Sequence, residues 1–332
     1  MKESRRSRLK LRWSISLPIP KNQKRERKDN RPNSFDELIE GNEPKNEKPE
    51  NRPYNAEEYK NRKNNEREAI YDLVNDTAEK MKNSPELFQS YLDVQARFDR
   101  YSVSNAILVT AQKPEATRLA DFDTWKAADT NVNKGEKAIS ILEPGKEFTR
   151  SDGSTGVNYN IKKVFDISQT NAKEQTAPVV TRDERLIIKS LISNAPCTMK
   201  ISDNISPQLN AIYNPDEKII YVRSGLDAPI LFRALTQELV HAHLDKGKGK
   251  YSRNDNQLAA FYASYILCKR YGVPADGYNF GKMPSLYSGM TVKDFRSELG
   301  RIRDVAGDIS RDMNRTLQAP ERAKKERSDE AR

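Results

Sequence analysis

The stretch Phe232 to Asp245, read Phe-Arg-Ala-Leu-Thr-Gln-Glu-Leu-Val-His-Ala-His-Leu-Asp, constrains the fold of this chain more than any other. Leu231, Leu235, Leu239 and Leu244 recur at nearly helical spacing, which predicts a buried helix. On such a helix Gln237 and His241 stand four residues apart with Glu238 between them, so all three lie close to one face. That is the layout of His-Glu-x-x-His, in which two histidines hold zinc and the glutamate activates a water. Here glutamine takes the place of the first histidine. The chain has two histidines in all, His241 and His243, and at that separation on a helix they point to roughly opposite sides. The motif specifies a helix and leaves its metal short of imidazoles.

What flanks this helix is equally patterned. A helix is expected at Asp183–Ser193 and a strand at Met199–Ser202. Asn210 to Arg223 reads as a strand hairpin turning at Asn214-Pro-Asp-Glu217, and a further helix runs from Asn256 to Tyr271 and stops at Gly272. A last long helix starts after Thr291, whose hydroxyl with Asp294 makes an approximate capping box; Phe295, Leu299, Ile302, Ile309 and Met313 give it an apolar stripe.

The hairpin, the Gln-Glu-x-x-His helix and the helix after it together resemble the zincin-like domain of the antirestriction protein ArdC and of LtrC-like proteins from plasmids and conjugative elements. The resemblance implies a zincin-like metallopeptidase fold in which the second helix supplies an acidic third ligand from a Glu-x-Gln/Glu-Ala stretch. The matching positions here are Gln257 and Ala259, with Ala260 as the alanine. His241 is then the retained ligand and Glu238 would be catalytic only in an active enzyme. Asp245, one turn after His241, and Asp255 are the other carboxylates near the right place, and a neutral amide is a poor zinc ligand. No metal and no cofactor are expected, and peptidase activity is not. Without a metal, Glu238 near a core needs a donor, either Gln237 or an arginine.

The first half of the chain follows a different plan. Ala69, Leu73, Ala78 and Met81 mark one helix, and Leu87, Leu92, Val94 and Phe98 a second after the Asn83-Ser-Pro break. Tyr101 to Gln112 gives a third that stops before Lys113-Pro114. A short strand is expected at Ala138–Leu142 and another at Val157–Ile167, separated by a loop containing Pro144, Gly145, Gly153 and Gly156. Helices followed by a small sheet make this half α+β.

Four ordered pieces here carry the stronger resemblance: Tyr101-Ser-x-x-Asn105, the Trp125 segment, Lys134-Gly-Glu-Lys137 leading into Ile-Ser-Ile-Leu-Glu-Pro144, and Val164-Phe-Asp-Ile-Ser-Gln-Thr170. In order and spacing they are similar to the amino-terminal, single-stranded-DNA-binding domain of ArdC. The resemblance implies DNA contact, chiefly at the Lys134–Lys137 turn. The residues alone say less, since Arg97 to Thr170 holds eleven basic and ten acidic side chains. Binding unpaired strands needs cations along the backbone and rings on which bases stack. Lys134 and Lys137 flank Gly135, whose missing side chain lets a phosphate approach the backbone. Tyr101, Trp125 and Tyr159 are candidate rings. Asn105, Arg118, Lys126, Arg150, Lys162 and Lys163 complete the candidate set, although Lys162 and Lys163 must face opposite ways on a strand.

Charge is concentrated outside both halves. Of a net charge of +10, residues 1 to 32 hold twelve Lys or Arg against three acids. Residues 1–55 are expected to be a disordered basic tail, 56–170 the DNA-binding domain, 171–181 a linker, 182–318 the degenerate zincin-like domain and 319–332 a frayed end. Within the tail, Arg8 to Leu17 alternates strictly, with Leu9, Leu11, Trp13, Ile15 and Leu17 on one side of an extended strand. Two cysteines, Cys197 and Cys268, give no disulfide framework, no apolar run reaches the roughly 18 residues of a membrane span, and the basic start lacks a signal-peptide core. A reducing cytoplasm is the expected compartment.

Three functions fit: a single-stranded-DNA-binding protein of a mobile element with an inactive zincin-like half, a metallopeptidase with unusual ligands, and an interaction protein gripping a relaxase or another conjugation protein.

Overall fold

The computed structural model describes residues 56–172, 183–247, 249 and 251–318 of the protein. The alternating segment Arg8–Leu17 and the expectations for 1–55, for most of the 171–181 linker and for 319–332 lie outside the described residues.

Three helices open the fold, α1 (Ala56–Asn83), α2 (Pro85–Arg97) and α3 (Val103–Gln112). Local chemistry sets the breaks between them. Ser84 accepts from the Leu87 N–H and Pro85 fills the first turn of α2, where a missing N–H costs nothing. Ser102 caps α3 through the Asn105 N–H, and α3 ends at Lys113, ahead of Pro114.

A three-stranded antiparallel sheet follows in the order β1-β3-β2, built from β1 (Leu119–Ala120), β2 (Ile139–Thr149) and β3 (Thr155–Asp166), with the short helix α4 (Phe122–Ala127) after β1. β2 runs well past its expected end at Leu142, whereas β3 begins two residues earlier than expected and ends one earlier. Pro144 and Gly145 do not form a loop but sit in β2, where the register shifts between Pro144 and Glu147. Because β2 is an edge strand, Pro144 deprives no ladder of a needed donor, and the bulge absorbs the irregularity. The result is a two-stranded ribbon turning only at residues 150–154.

The second half comprises α5 (Glu184–Ser193), β4 (Thr198–Ile201), β5 (Ala211–Asn214), β6 (Ile219–Val222), α6 (Ala228–Leu244), α7 (Arg253–Tyr271), α8 (Met283–Tyr287) and α9 (Val292–Leu317). Its sheet has the order β4-β6-β5, with β4 parallel and β5 antiparallel to β6. The Gln-Glu-x-x-His segment lies on α6, capped by Asp227 and packed between β5 and α7. Gly272 ends α7 in the left-handed conformation at φ 71°. The architecture is α+β.

The halves share a core. Phe88 of α2 meets Tyr262 of α7 edge-on at 4.8 Å between ring centroids, and Phe280, Tyr287 and Phe295 close the cluster. Polar ties reinforce it: the Tyr265 hydroxyl donates to Asp93 at 2.8 Å, and the ammonium of buried Lys82 donates to the Met290 carbonyl at 2.7 Å. Residues from Ala56 onward form one compact unit. Within the described residues, no helix is long and apolar enough to cross a membrane.

Candidate functional site

Glu238 is 4% exposed, so its carboxylate must find donors inside the protein. It finds three. The Tyr213 N–H, pointing off the edge of β5, donates to Oε2 at 2.7 Å. Arg253, at the first turn of α7, grips both oxygens, Nη1 to Oε2 at 2.8 Å and Nη2 to Oε1 at 2.6 Å. A planar guanidinium matched to a carboxylate in this two-point fashion is the strongest common form of ion pair. A carboxylate has about four acceptor positions, so Glu238 has little left to offer a water. Of the two donors expected from sequence, the arginine is the one the fold supplies.

His241 is fully buried on the same helix. Burial lowers its pKa to about 4; Glu238 and Gln257 pull the other way and Arg253 adds to the fall. The ring is therefore neutral at pH 7. Gln257 of α7 lies beside the imidazole, yet neither ring nitrogen meets a partner at hydrogen-bonding geometry. Tyr251 packs edge-on against it at 6.0 Å. His243 points elsewhere, with Nε2 3.7 Å from Asp312 of α9.

Asp245, the next carboxylate along the stripe, is also occupied: it accepts from the Tyr213 hydroxyl at 3.0 Å, from Lys218 at 2.5 Å and from the Gly247 N–H at 2.8 Å. Asp255 is exposed on the first turn of α7.

These residues do not fit a resident divalent ion. One imidazole is available, Gln237 and Gln257 are neutral amides, and the two carboxylates on the helix are held by cations. Among the described residues no three His, Cys, Asp or Glu side chains come together as a metal site. A guanidinium fixed on Glu238 would further repel such an ion.

The DNA-contact candidates of the first half separate into two groups. Trp125 is 2% exposed and its indole N–H donates to the Phe165 carbonyl at 2.9 Å, with the Arg118 guanidinium 5.2 Å from the ring. Asn105 is buried and clamps Leu142 of β2 from both sides, donating to its carbonyl and accepting from its N–H, each at 2.8 Å. These two hold the sheet to the helices, and burial takes them out of reach of a base. Tyr101 is half-buried and stacks on Phe98 at 5.1 Å.

The second group faces solvent. Lys134, Gly135 and Lys137 lie on an exposed turn, with Gly135 at φ 90°, a conformation that favours glycine. Gln169 anchors the turn from below, donating to the Glu136 carboxylate and the Lys137 carbonyl. Lys126 is exposed on α4. Lys162 is shared between Asp121 at 3.0 Å and Glu143 at 3.1 Å, whereas Lys163 reaches Glu66 at 2.9 Å.

The ribbon carries the candidates Tyr159 and Arg150 and adds Phe148 and Val157, which the sequence did not single out. Beyond Glu143 and Asn160 both strands are largely exposed, and Phe148, Val157 and Tyr159 stand in solvent. Tyr159 and Val157 share one face by the two-residue period of a strand. Phe148, paired with Gly156, is on the other, and its ring lies so close over Gly156 that a Cβ there would come within 2.6 Å of it. Arg150 sits 5.8 Å from the Phe148 ring and donates to Ser154 and the Thr155 carbonyl. The Phe148 ring was legible only once strand rather than loop was assigned to residues 143–149.

Residues 64–184 match the family model of the N-terminal domain of anti-restriction factor ArdC. Over that stretch the chain is similar to the N-terminal domain of ArdC. An uncharacterized protein of Bacillus anthracis is 29% identical in an alignment of length 261 that covers 63% of this chain and 44% of that protein, so the match spans less than half of the relative's length. Two crystal structures of antirestriction ArdC from the R388 plasmid are also similar. The metal-free one has a TM-score of 0.44 at 15% identity, covering 66% of this chain and 84% of ArdC. The Mn(II)-bound one has a TM-score of 0.47 at 18% identity, covering 66% and 86%.

Proposed function

We propose that this protein binds single-stranded DNA in antirestriction or conjugation on a mobile element, and that its zincin-like C-terminal half is not catalytic. Residues 56–170 hold the strand; residues 182–318 keep the shape of a peptidase without its chemistry. The observation that carries the first part is the match of residues 64–184 to the ArdC N-terminal domain. Geometry supports it: the Lys134–Lys137 turn supplies exposed cations without an ion-pair partner among the described residues, and Tyr159 offers a 41% exposed ring on a strand face. Cations neutralise phosphates, rings stack on bases, and an occupied strand is closed to nucleases and restriction enzymes. The compartment consistent with this role is the cytoplasm.

Support for the second part is the engagement of both Glu238 oxygens by Arg253 and of Oε2 by the Tyr213 N–H as well. A general base needs a free lone pair facing water, and here three of about four acceptor positions on a buried carboxylate are already taken. R388 ArdC crystallises with and without Mn(II); the donors around His241 do not extend that capacity to this chain.

The test is fluorescence polarisation on unpaired and duplex oligonucleotides of one length across a salt series. Tighter, salt-sensitive binding to the unpaired strand is expected. A preference for duplex at every salt concentration would overturn the reading.

A further inference from the structure

Beside Glu238 lies a cleft of about 460 Å³ between the edge of β5, α6 and the start of α7. Its charge balance differs from that of a hydrolytic metal site. Among the lining residues Glu238 is the only carboxylate, and most of its acceptor capacity is taken up from within the protein. Arginine contributes the opposite sign twice, through Arg233 and Arg253.

Among the described residues neither guanidinium has all its N–H groups engaged. A guanidinium carries five N–H groups. Arg253 gives two to Glu238 and Arg233 gives one to the Pro274 carbonyl at 3.1 Å. Gln237 and Gln257 bring amide N–H groups to the same walls. The backbone adds another donor: Tyr213 directs its N–H off the free edge of β5, and by the two-residue period Ala211 does the same one step earlier, on the cleft. The cleft thus holds surplus positive charge and surplus donors. Its volume falls in the range of small-molecule sites rather than of a bare ion.

We propose that this cleft binds a small organic oxyanion, a carboxylate or a phosphate group held between Arg233 and Arg253. In this site Arg253 both neutralises Glu238 and forms one wall of the cleft. The proposal rests on the reading of the C-terminal half as metal-free and is independent of DNA binding by the N-terminal half.

Calorimetric titration of the full chain with sodium phosphate and with sodium citrate, at constant ionic strength made up with chloride, tests it. One oxyanion site per chain is expected, weakened at least tenfold by Arg233→Ala. Arg253→Ala would leave a buried carboxylate unpaired, so Arg233, half-exposed and outside that pair, is the residue to change. Binding of citrate alone supports a carboxylate ligand, and binding of phosphate alone supports a phosphate ligand. No binding beyond chloride, or equal affinity in Arg233→Ala, overturns the proposal. Elemental analysis of the same sample separates the two failures. One tightly held metal per chain would sink the metal-free reading, whereas no metal and no oxyanion would sink this proposal alone.

Discussion

The Lys134–Lys137 turn and the Gln237–His241 helix are both short polar stretches with a recognisable chemical pattern, yet the fold treats them in opposite ways. On the turn, Lys134 and Lys137 project into solvent while Gln169 holds the backbone beneath them. On the helix, Glu238 is buried and its oxygens are taken by Arg253 and the Tyr213 N–H. The difference shows that a motif is functional to the extent that its hydrogen-bonding capacity is left unspent. A polar group satisfied from within supports the fold, and one satisfied only by water is free for a ligand.

Breaking the buried side of that contrast should give the largest effect. Arg253→Met leaves Glu238 in the core without its counter-charge, which costs about 3–5 kcal/mol of stability. Adding Glu238→Gln should return much of the loss, because a neutral amide is cheaper to bury. Urea unfolding of the two variants checks this. A loss below about 1 kcal/mol for Arg253→Met would mean that the pair behaves as a surface ion pair and that Glu238 is not locked.

Acid should expose the same burial through His241. Its folded pKa, about 4, lies below the unfolded value of 6.5, so the unfolded chain binds the extra proton first. Stability contributed by the neutral ring is complete above pH 6.5 and is lost as pH falls from there toward 4, by at most about 3 kcal/mol. His243, also pushed down by burial, adds in the same direction. Thermal midpoints between pH 7 and 4.5 should fall, and His241→Gln should flatten much of the slope. An unchanged slope in that variant would place the titration elsewhere.

Much of this was readable from sequence, and the exceptions have physical causes. Ser84-Pro85, Ser102, Thr291 and Gly272 set helix ends by local chemistry, and the structure ends its helices there. Pro144 and Gly145 signal a loop by composition but sit in an edge strand, because whether a strand has a neighbour on its N–H side is a tertiary fact. Trp125 and Asn105 carry the resemblance to a DNA-binding domain while serving its core; an indole and an amide look alike in sequence whether they meet a base or a backbone carbonyl. Arg253 is fifteen residues from Glu238 and belongs to no recognised spacing, so only the packing of α7 on α6 brings it to the carboxylate. For Glu238 the sequence stated the need for a donor and left its identity open.

On the exposed side the expected effects are smaller. Tyr159→Ala removes a ring at 41% exposure with little of the core beneath it, so it should leave the unfolding midpoint nearly unchanged while weakening single-strand binding by about 1–3 kcal/mol if one base stacks there. Trp125→Ala should do the reverse, costing stability through its lost packing and its bond to Phe165. Were Tyr159→Ala to bind DNA as tightly as the parent, the ribbon would be a structural arm and contact would be confined to the turn.

The finest test of the contrast is the salt dependence of DNA binding in Lys134→Ala/Lys137→Ala. Each lysine that neutralises a phosphate releases condensed counterion, and on unpaired strands the slope of log affinity against log salt changes by about 0.7 per contact. Losing both should flatten the slope by about 1.4, with the folded state untouched because neither ammonium has a protein partner at ion-pairing distance among the described residues. A drop in affinity with the slope preserved would show that the turn acts through its shape around Gly135 rather than through its charge. In that event Gly135→Ala, forced into a backbone conformation at φ 90° that a side chain rarely adopts, should reproduce the loss while both lysines remain.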